Sequence, residues 1–549
     1  MLMKKYILTI LTLSIVVTGC SSKFLEEKPN ALDPDKAALS SVRWFESAIA
    51  ALHEAARDQF KDSTTPFHMH AGTDIATIGD PALSESKNVI TSITPNTQCV
   101  QFYWHWAYLK VLPRANTIIA GAENNDVEWE SEAQRNSYIA EAKFFRAYAH
   151  EFLVNLYGRI PVVLEAVRKP KTDFVREDRK KTLEIIRDDL LYAAQWLPET
   201  PSAEGRVPQA AAWHLLSEVY ICLQEYDLAI DAASHVIESG QYELMRERFG
   251  NFKNQPGDVF SDLFLDDNQS RAAGNKEMIF CYQVEYDTPG GGGQSNGNIW
   301  LRAFGPRYFE LKDPDGNAGM EVCDSLGRSV GWIRTSDYAN YGIWEGDNWN
   351  DMRNSKYNIR RDWYYNAGPH KGEKVPKWSS DYQYDSLYIL YPRWRKVEGE
   401  SKSGAAMGRT WKDYPIMRLA ETYLLRAEAY MRKGGDANLQ KAADDINELR
   451  GRAHAKLCTK EDVTLDYILD ERARELMIEE PRRKTLARTR TLYERVRKYA
   501  VLEETRSTIQ PYHQWFPIPQ QAIDANTGAQ LGQAFGYAGA TDTEIIPLL

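Results

Sequence analysis

Cys20 is the residue whose chemistry the sequence defines most clearly, because it directly follows a small residue, Gly19, at the end of an apolar run. Lys4 and Lys5 precede that run, which is too short for a transmembrane helix of about 20 apolar residues. A charged segment, a short apolar segment and a small residue before a cysteine are typical of a lipoprotein signal. The pattern predicts cleavage of residues 1–19, acylation of the Cys20 thiol and anchoring of the remaining chain by lipid.

A second set of candidate residues is mostly aromatic and lies where the sequence lacks helical periodicity, between about 290 and 366. Rings outside an apolar helix stripe, placed beside Asn, Asp and Arg, are suited to stack on flat apolar sugar faces while the polar groups bind hydroxyls. We expect two or three of the rings to be exposed, and we expect the loop around Asp74 to contribute to the ligand-binding surface. The candidate ligand-binding residues are Asp74, Trp300, Trp332, Arg334, Tyr341, Trp344 and Trp349.

Metal and cofactor motifs are weak in this chain. Asp313, Asp315 and Asn317 resemble part of a calcium loop, but the glycine falls at the fourth position instead of the sixth and no glutamate closes the loop. His68 and His70 could share a metal ion from a strand, but a third ligand is not evident, and a surface position is favoured. We therefore expect no cofactor and no metal site, while calcium bound in another manner stays open.

Catalytic motifs are also not evident, since the chain contains neither a Gly-x-Ser-x-Gly elbow nor a His-Glu-x-x-His pair. The four glycines at 290–293 lack the Gly-Lys-Ser/Thr ending of a phosphate loop, so we expect a surface loop there. Carboxylates are plentiful, and a glycosidase pair stays open because no two of them stand out.

The bulk composition excludes several classes of protein. The 549 residues are 43% hydrophobic and carry a net charge of −10, which becomes −12 once Lys4 and Lys5 are removed with the signal. An acidic chain without a basic run is unsuited to nucleic acid. The cysteines beyond Cys20 are scattered and odd in number, which argues against a disulfide framework or a zinc site; they are Cys99, Cys222, Cys281, Cys323 and Cys458.

Helical patterning dominates residues 30–248 and returns over 404–549, separated by a loop-rich insertion at 249–403 with short strands. Within the first part, Trp213, Ser217 and Tyr220 begin a tetratricopeptide-like spacing, in which small residues let paired helices approach closely. A looser copy begins at Tyr423, and one such unit cannot bury its own face. The sequence thus predicts a mainly α fold, a helical-repeat scaffold carrying an insertion; ordinary helical hairpins are the alternative.

Five motifs in order along the chain are similar to those of one family. They comprise a helix at 140–149 leading to Tyr157-Gly158 and Pro161, a helix at 414–429, an Asn-x-x-Arg-x-Arg-Ala segment at 447–453, a Glu-Arg-x-x-Glu-Leu helix at 471–476, and Phe516-Pro-Ile-Pro-Gln520 with Gly536-Tyr537. Together with the lipoprotein signal, they resemble the SusD/RagB family of outer-membrane lipoproteins over nearly the whole chain, 20–549. At 479–486 the chain departs from the family pattern, in a helix that we expect to be structural.

The resemblance implies a scaffold of tetratricopeptide-like helix pairs with a loop-rich binding half. It further implies a non-enzymatic, surface-exposed lipoprotein of the outer membrane that captures glycans and acts as the lid of a SusC-like TonB-dependent transporter. Two alternatives stay open: the same lid role with peptide cargo, and a lipid-anchored glycosidase. The family motifs are scaffold, so no ligand residue follows from the resemblance.

Overall fold

A computed structural model describes residues 41–60, 64–80, 90–123, 127–167, 169–376 and 388–547. The predicted signal segment and Cys20 lie outside these ranges. The N-terminal part consists of helices α1 (Val42–Arg57), α2 (Thr64–His70), α3 (Gln98–His105), α4 (Leu112–Ala122), α5 (Glu132–Tyr157), α6 (Arg179–Trp196), α7 (Gln209–Cys222) and α8 (Tyr226–Ile237). A π-helical turn, Trp106–Val111, joins α3 to α4.

Helix α5 shows how sequence signals set the helix ends. The Ser131 hydroxyl accepts the backbone N–H of Gln134, which caps the first turn. Gly158 follows the last turn at φ +76°, a left-handed conformation that favours glycine, and ends the helix where the sequence predicts. The helix between these residues is almost entirely buried and forms the centre of the core.

Short elements dominate the insertion. Its helices are α9 (Val259–Asp262), α10 (Trp300–Phe304) and α11 (Asp337–Asn340). The strands of the chain form antiparallel pairs: β1 (Ala76–Ile78) with β3 (Ile333–Thr335), β2 (Met278–Tyr282) with β6 (Tyr414–Arg418), and β4 (Ile359–Arg360) with β5 (Arg393–Trp394). Single 3₁₀ turns occur at Asp58–Phe60, Tyr308–Glu310, Gly342–Trp344, Gly346–Asn348, Met352–Asn354, Arg395–Val397, Ala405–Met407 and Pro511–Gln514.

The C-terminal part returns to helices, which are α12 (Leu419–Lys433), α13 (Asp436–Arg452), α14 (Leu465–Leu476), α15 (Arg482–Arg488), α16 (Leu492–Tyr499), α17 (Glu503–Thr508) and α18 (Gln520–Ala525). None of the helices in the described ranges combines the length and the apolar composition needed to cross a membrane.

The helices stack as a repeat scaffold, as the sequence predicts. Helix α6 packs on α5 and α7, α8 packs on α7 and α12, and α12 pairs with α13. Trp213 of α7 stacks on His235 of α8, with ring centroids 4.1 Å apart and an angle of 16° between the planes. Ser217 is fully buried, which is consistent with a small residue where two helices approach closely.

Charged residues of the family-like motifs meet inside this scaffold. Arg450 of α13 donates to Glu471 of α14 at 2.8 Å, and Arg452 donates to Glu475 at 2.6 Å. Arg418, at the end of β6, also donates to Glu475, at 3.1 Å. All five side chains are buried, and buried charges persist only when they are paired and hydrogen-bonded. These motifs therefore fix the packing of β6, α13 and α14.

Candidate ligand-binding surface

The pairing of β1 with β3 brings the N-terminal loop against the insertion. Thr77 lies opposite Arg334 in this pair, and the N–H of Gly79 donates to the carbonyl oxygen of Trp332 at 2.9 Å. Trp332 directly precedes β3, and Arg334 is the middle residue of that strand. The loop around Asp74 and the insertion, the two segments expected to contribute to ligand binding, are thus neighbours.

Arg361 holds two of the predicted aromatic residues in one cluster. Its guanidinium lies 5.3 Å from the ring centroid of Tyr341 and 5.4 Å from that of Trp349. The same group donates to the carbonyl oxygens of Asn340, at 2.6 Å, and Asn354, at 3.1 Å, and so ties together the loops that carry the two rings. The Trp349 ring is 52% exposed, whereas Tyr341 is half-buried. The cluster presents a positioned aromatic face to solvent.

Charged groups lie near Tyr341 of this cluster. The predicted ligand-binding residue Arg334 is itself buried, and it donates to the exposed carboxylate of Asp337 at 2.7 Å. Burial raises the pKa of Tyr341, and the charges of Arg361, Asp337 and Arg334 all act on its hydroxyl. The surface thus combines an exposed aromatic ring with an exposed hydrogen-bond acceptor, a combination that suits a sugar ring in a protein site.

The prediction that Trp300 and Trp344 bind ligand is wrong, because both rings are in the core. Trp344 is fully buried and its indole N–H donates to the carbonyl oxygen of Ala339 at 3.0 Å. Trp300 packs against Tyr414, with centroids 5.2 Å apart. Of the five predicted rings, one is exposed, two (Trp332 and Tyr341) are half-buried and two are buried. Aromatic residues in the loops thus form part of the core of the insertion as well as part of its surface.

Asp74 is also not at the surface. Its carboxylate is fully buried and receives two hydrogen bonds from Arg482, at 2.7 and 3.0 Å, and one from Arg495, at 2.6 Å. Burial alone would raise the pKa of Asp74, but the two guanidinium groups hold it well below its usual range. Its loop lies next to the insertion, as expected, but the side chain is a structural ion-pair partner.

Sequence reasoning missed Arg361, the residue that organises the cluster. It follows β4 directly and belongs to no motif. Its partners Asn340 and Asn354 are 21 and 7 positions away along the chain. The pair Arg360-Arg361, two positions before Trp363, would have been the available signal, but that signal does not distinguish a surface arginine from a buried one.

One group of side chains in the described ranges could hold a metal ion. Ligand atoms of Asp313, Asp315 and His370 lie within 4.8 Å of one another. Hydrogen bonds from the imidazole to the carboxylate of Glu373 and then to that of Asp315 raise the pKa of His370, so an imidazole held between two carboxylates satisfies the arrangement without a cation. Asp313 itself accepts backbone N–H groups and shapes the turn.

The predicted surface position of the two histidines near residue 70 is also wrong, as is their placement on a strand. His68 and His70 belong to helix α2, and both are buried. Burial, followed by the charge of Arg482, lowers the pKa of His70 to about 3. The imidazole is therefore neutral at physiological pH and packs edge-on against Phe304, with ring centroids 5.2 Å apart.

Two family sequence models match complementary parts of the chain. The model described as the SusD family matches residues 264–537, which include the insertion and the C-terminal helices. The model described as starch-binding associating with outer membrane matches residues 23–221. The chain belongs to the SusD/RagB family.

Relatives of this SusD-family chain match it over most of their length. SusD-like protein P2 of Formosa agariphila is 26% identical over 488 residues, which cover 87% of each chain. The starch-binding protein SusD of Bacteroides thetaiotaomicron is 26% identical over 504 residues, covering 81% of this chain and 84% of that protein.

Solved structures confirm the mainly α, helical-repeat fold. A laminarin-binding SusD-like protein aligns with a TM-score of 0.68 at 21% identity, over 91% of this chain and 100% of the other. Surface glycan-binding protein A from Bacteroides thetaiotaomicron, solved in complex with laminarihexaose, aligns with a TM-score of 0.65 at 19% identity, over 89% of this chain and 98% of the other. At these identities the similarity defines the fold.

Proposed function

We propose that this SusD-family protein is a non-enzymatic, lipid-anchored glycan-binding protein of the outer cell surface. In this role it captures oligosaccharides and acts as the lid of a SusC-like TonB-dependent transporter. The relatives support the class of ligand, since one is named a starch-binding protein and one structural neighbour a laminarin-binding protein. The family model for residues 23–221, described as associating with the outer membrane, supports the location.

The observation that carries the proposal is the exposed Trp349 ring held by Arg361 beside Tyr341. An exposed tryptophan costs solvation free energy, and here three hydrogen bonds of Arg361 to neighbouring loops fix the cluster before any ligand arrives. A preorganised ring binds a flat apolar face without the entropic cost of ordering a mobile side chain. The exposed carboxylate of Asp337, whose charge acts on Tyr341, then offers an acceptor for sugar hydroxyl groups near this cluster.

A second surface supports contact with a transporter. The helical part exposes an apolar groove of about 500 Å³ along α4 and the preceding π-helical turn. Leu109 is 66% exposed and Val167 52% exposed at this groove. Contiguous exposed apolar side chains mark interaction sites on soluble domains, and a lid must bury area on its partner. We assign the groove to the transporter because the lipid anchor confines the chain to the membrane surface that the transporter shares.

The test of ligand class is a glycan array run in parallel with a peptide library and an assay for released sugar. Binding of an oligosaccharide without product formation is the expected result. Capture of peptides in place of glycans would change the cargo, and turnover of a bound glycan would make the protein a glycosidase. Trp349→Ala should weaken the binding of the glycans that the array identifies about fivefold, since an exposed stacking ring contributes on the order of 1 kcal/mol.

The test of the transporter contact is co-purification from outer membranes with a TonB-dependent transporter. Leu109→Asp should reduce the recovered transporter without changing glycan affinity, because it places a charge in the apolar groove. Leu228→Asp is the matched control, because Leu228 is also an exposed leucine but lies on α8 and not at the groove. This variant should leave recovery unchanged. Recovery that is equal for wild type and Leu109→Asp would exclude the groove as the contact.

A further inference from the structure

Several arginines lie around Arg302, which contacts Trp332, in a chain whose net charge is −10. We call Arg302, Arg307, Arg328 and Arg409 the arginine patch. Arg302 lies on α10, and its guanidinium is 5.4 Å from the ring centroid of Trp332.

Backbone contacts hold the segments of the arginine patch together. The N–H of Val330 donates to the carbonyl oxygen of Arg302 at 3.0 Å, and the N–H of Arg328 donates to that of Ala405 at 3.0 Å. Gly408 lies between the two arginines: a Cβ there would stand 2.0 Å from the carbonyl oxygen of Arg328 and 3.5 Å from the Cβ of Arg302. Gly408 also has φ +62°, so both space and conformation require glycine at this junction. The patch is therefore built into the packing of three chain segments.

Two arginines of the patch, Arg302 and Arg328, lack a paired carboxylate in the described part of the chain. Among the described residues, neither has a carboxylate oxygen within 4.0 Å of its guanidinium, and Arg307 faces only the exposed Glu310, at 3.4 Å. Partial burial, and then the charges of its three neighbours in the patch, lower the pKa of Arg302. Arginines elsewhere in this chain behave differently: the buried Arg353, for example, lies 2.7 Å from Glu471. Arg302 and Arg328 thus bring together positive charge with which no carboxylate of the described residues pairs.

Two further arginines of the patch also contact aromatic rings. The Arg328 guanidinium lies 5.4 Å from the centroid of Phe309, and the Arg307 guanidinium lies 4.8 Å from that of Tyr388. Trp332 itself is half-buried. It directly precedes β3, which carries Arg334, and the charge of Arg334 also acts on Tyr341 in the Trp349 cluster. The arginine patch and the Trp349 cluster are therefore linked through β3.

We propose that the glycan bound at this surface is anionic, with carboxylate or sulfate groups that the arginine patch recognises. The proposal rests on the proposed glycan-binding function and adds the class of sugar. Planar guanidinium groups match both oxyanions with paired hydrogen bonds. An anion between several arginines also relieves their mutual repulsion, which a neutral sugar does not do. The aromatic faces would still stack on the sugar rings that carry the charges.

The decisive measurement is calorimetric titration of the full chain, purified in detergent, with four defined probes. Hexagalacturonate supplies carboxylates and a carrageenan hexasaccharide supplies sulfates, whereas laminarihexaose and maltohexaose are neutral. We expect at least one anionic probe to bind more tightly than both neutral probes. Its affinity should fall as salt rises from about 50 mM to about 200 mM, because the contacts are ionic and partly exposed.

Variants of the patch separate recognition from non-specific attraction. Arg302→Gln/Arg328→Gln should weaken the anionic probe about tenfold or more, since hydrogen bonds to charged groups contribute that much. Arg302→Lys/Arg328→Lys keeps the charge but not the paired geometry and should recover part of the affinity. Arg246→Gln is the control, because Arg246 is a half-exposed arginine paired with Glu448 outside the patch. It should leave the affinity unchanged.

The outcomes distinguish this inference from the proposed function. Neutral probes that bind as tightly as anionic ones, with Trp349→Ala weakening their binding, would uphold glycan binding and overturn the anionic class. Anionic probes that bind the glutamine and wild-type proteins equally would also overturn it. If none of the probes and no glycan of the array binds, both proposals fall. The comparison of probes on the wild-type protein decides the class even where a variant does not fold.

Discussion

Asp74 and Arg482 form a bidentate ion pair in the core, although 408 positions of sequence separate them. The two guanidinium nitrogens lie 3.0 and 2.7 Å from the two carboxylate oxygens, and both side chains are fully buried. The pair connects the loop before β1 to helix α15, and it is one of several charged contacts between the N-terminal and C-terminal helical parts. Asp74, which the sequence composition suggests for ligand binding, is thus a structural residue.

Asp74→Asn should destabilise the protein by about 3–5 kcal/mol, because it leaves the Arg482 and Arg495 guanidinium groups buried without their counter-charge. Urea unfolding followed by circular dichroism measures the change in the free energy of unfolding. Asp188→Asn removes an exposed carboxylate that lies 2.9 Å from Arg187 and should cost less than about 1 kcal/mol. If Asp74→Asn kept full stability but lost ligand affinity, Asp74 would belong to the binding site instead.

Trp213→Ala should lower the free energy of unfolding by about 2 kcal/mol. This is less than the 3–5 kcal/mol typical of a fully buried tryptophan, since the ring is half-buried. The lost interaction is the stack on His235 that joins α7 to α8. Leu228→Ala, at an exposed position on α8, should stay within about 0.5 kcal/mol of wild type. Ligand affinity should not change in either variant, and a loss of binding at unchanged stability would contradict a scaffold role.

Trp349→Ala should affect ligand binding and Trp344→Ala should affect stability, although the two residues are only five positions apart. The exposed Trp349 ring contributes on the order of 1 kcal/mol to stacking, so its loss should weaken binding about fivefold with little change in melting temperature. Trp344 is fully buried, and its removal should cost about 3–5 kcal/mol of stability. Titration of each folded variant with the array-identified glycan provides the comparison. Wild-type affinity in Trp349→Ala would place the ligand elsewhere.

Cys20→Ala should abolish association with the membrane fraction, because the thiol is the predicted acceptor of the lipid. Cys20 lies outside the described residues, so this expectation rests on the sequence pattern alone. Fractionation of cells and labelling with a radioactive fatty acid measure the outcome. Cys323→Ala, at a half-buried cysteine of the insertion, is the control and should remain membrane-bound. A Cys20→Ala protein that stays fully in the outer membrane would exclude acylation as the anchor.

The helical fold was predictable because its signals are local. Gly158 ends α5, and the small residue Ser217 lies where α7 meets its neighbours, both positions that the spacing of the sequence identifies. Strand β2 was also evident from its apolar run, although its partner β6 begins 132 residues beyond the end of β2 and no local pattern encodes that pairing.

The candidate surface was only partly predictable. Composition identified the insertion and Trp349, but it could not separate Trp349 from the buried Trp344, because both lie in short turns without a periodic pattern. Exposure there depends on long-range contacts, such as the packing of Trp344 near Trp394, with ring centroids 6.0 Å apart. Arg361 and the charges around Arg302 likewise depend on which loops meet in space.

A buried carboxylate near β6 gives the protein a pH-dependent stability. Asp413 accepts the backbone N–H of Val284 at 2.9 Å and faces the Cys281 thiol at 3.6 Å. Burial raises its pKa from 3.8 to about 6. Between these values the unfolded chain releases the proton while the folded protein keeps it, so the free energy of unfolding falls as pH rises through this window. The penalty, which is the cost of burying the ionised carboxylate, is absent below this window and complete above it.

Asp413→Asn should remove this penalty, because the amide oxygen can still accept the Val284 N–H and no charge is buried. We expect the variant to be more stable than wild type by about 1–3 kcal/mol at pH 7.5, given that one pKa unit corresponds to about 1.4 kcal/mol. At about pH 3 the two proteins should unfold at nearly the same urea concentration, since Asp413 is then mostly protonated in both states. Urea titrations at the two pH values measure the difference, and Asp337→Asn, at an exposed carboxylate, should show no such divergence. An asparagine variant that is less stable than wild type at pH 7.5 would mean that the ionised carboxylate is favoured in the folded protein, contrary to the effect of its burial.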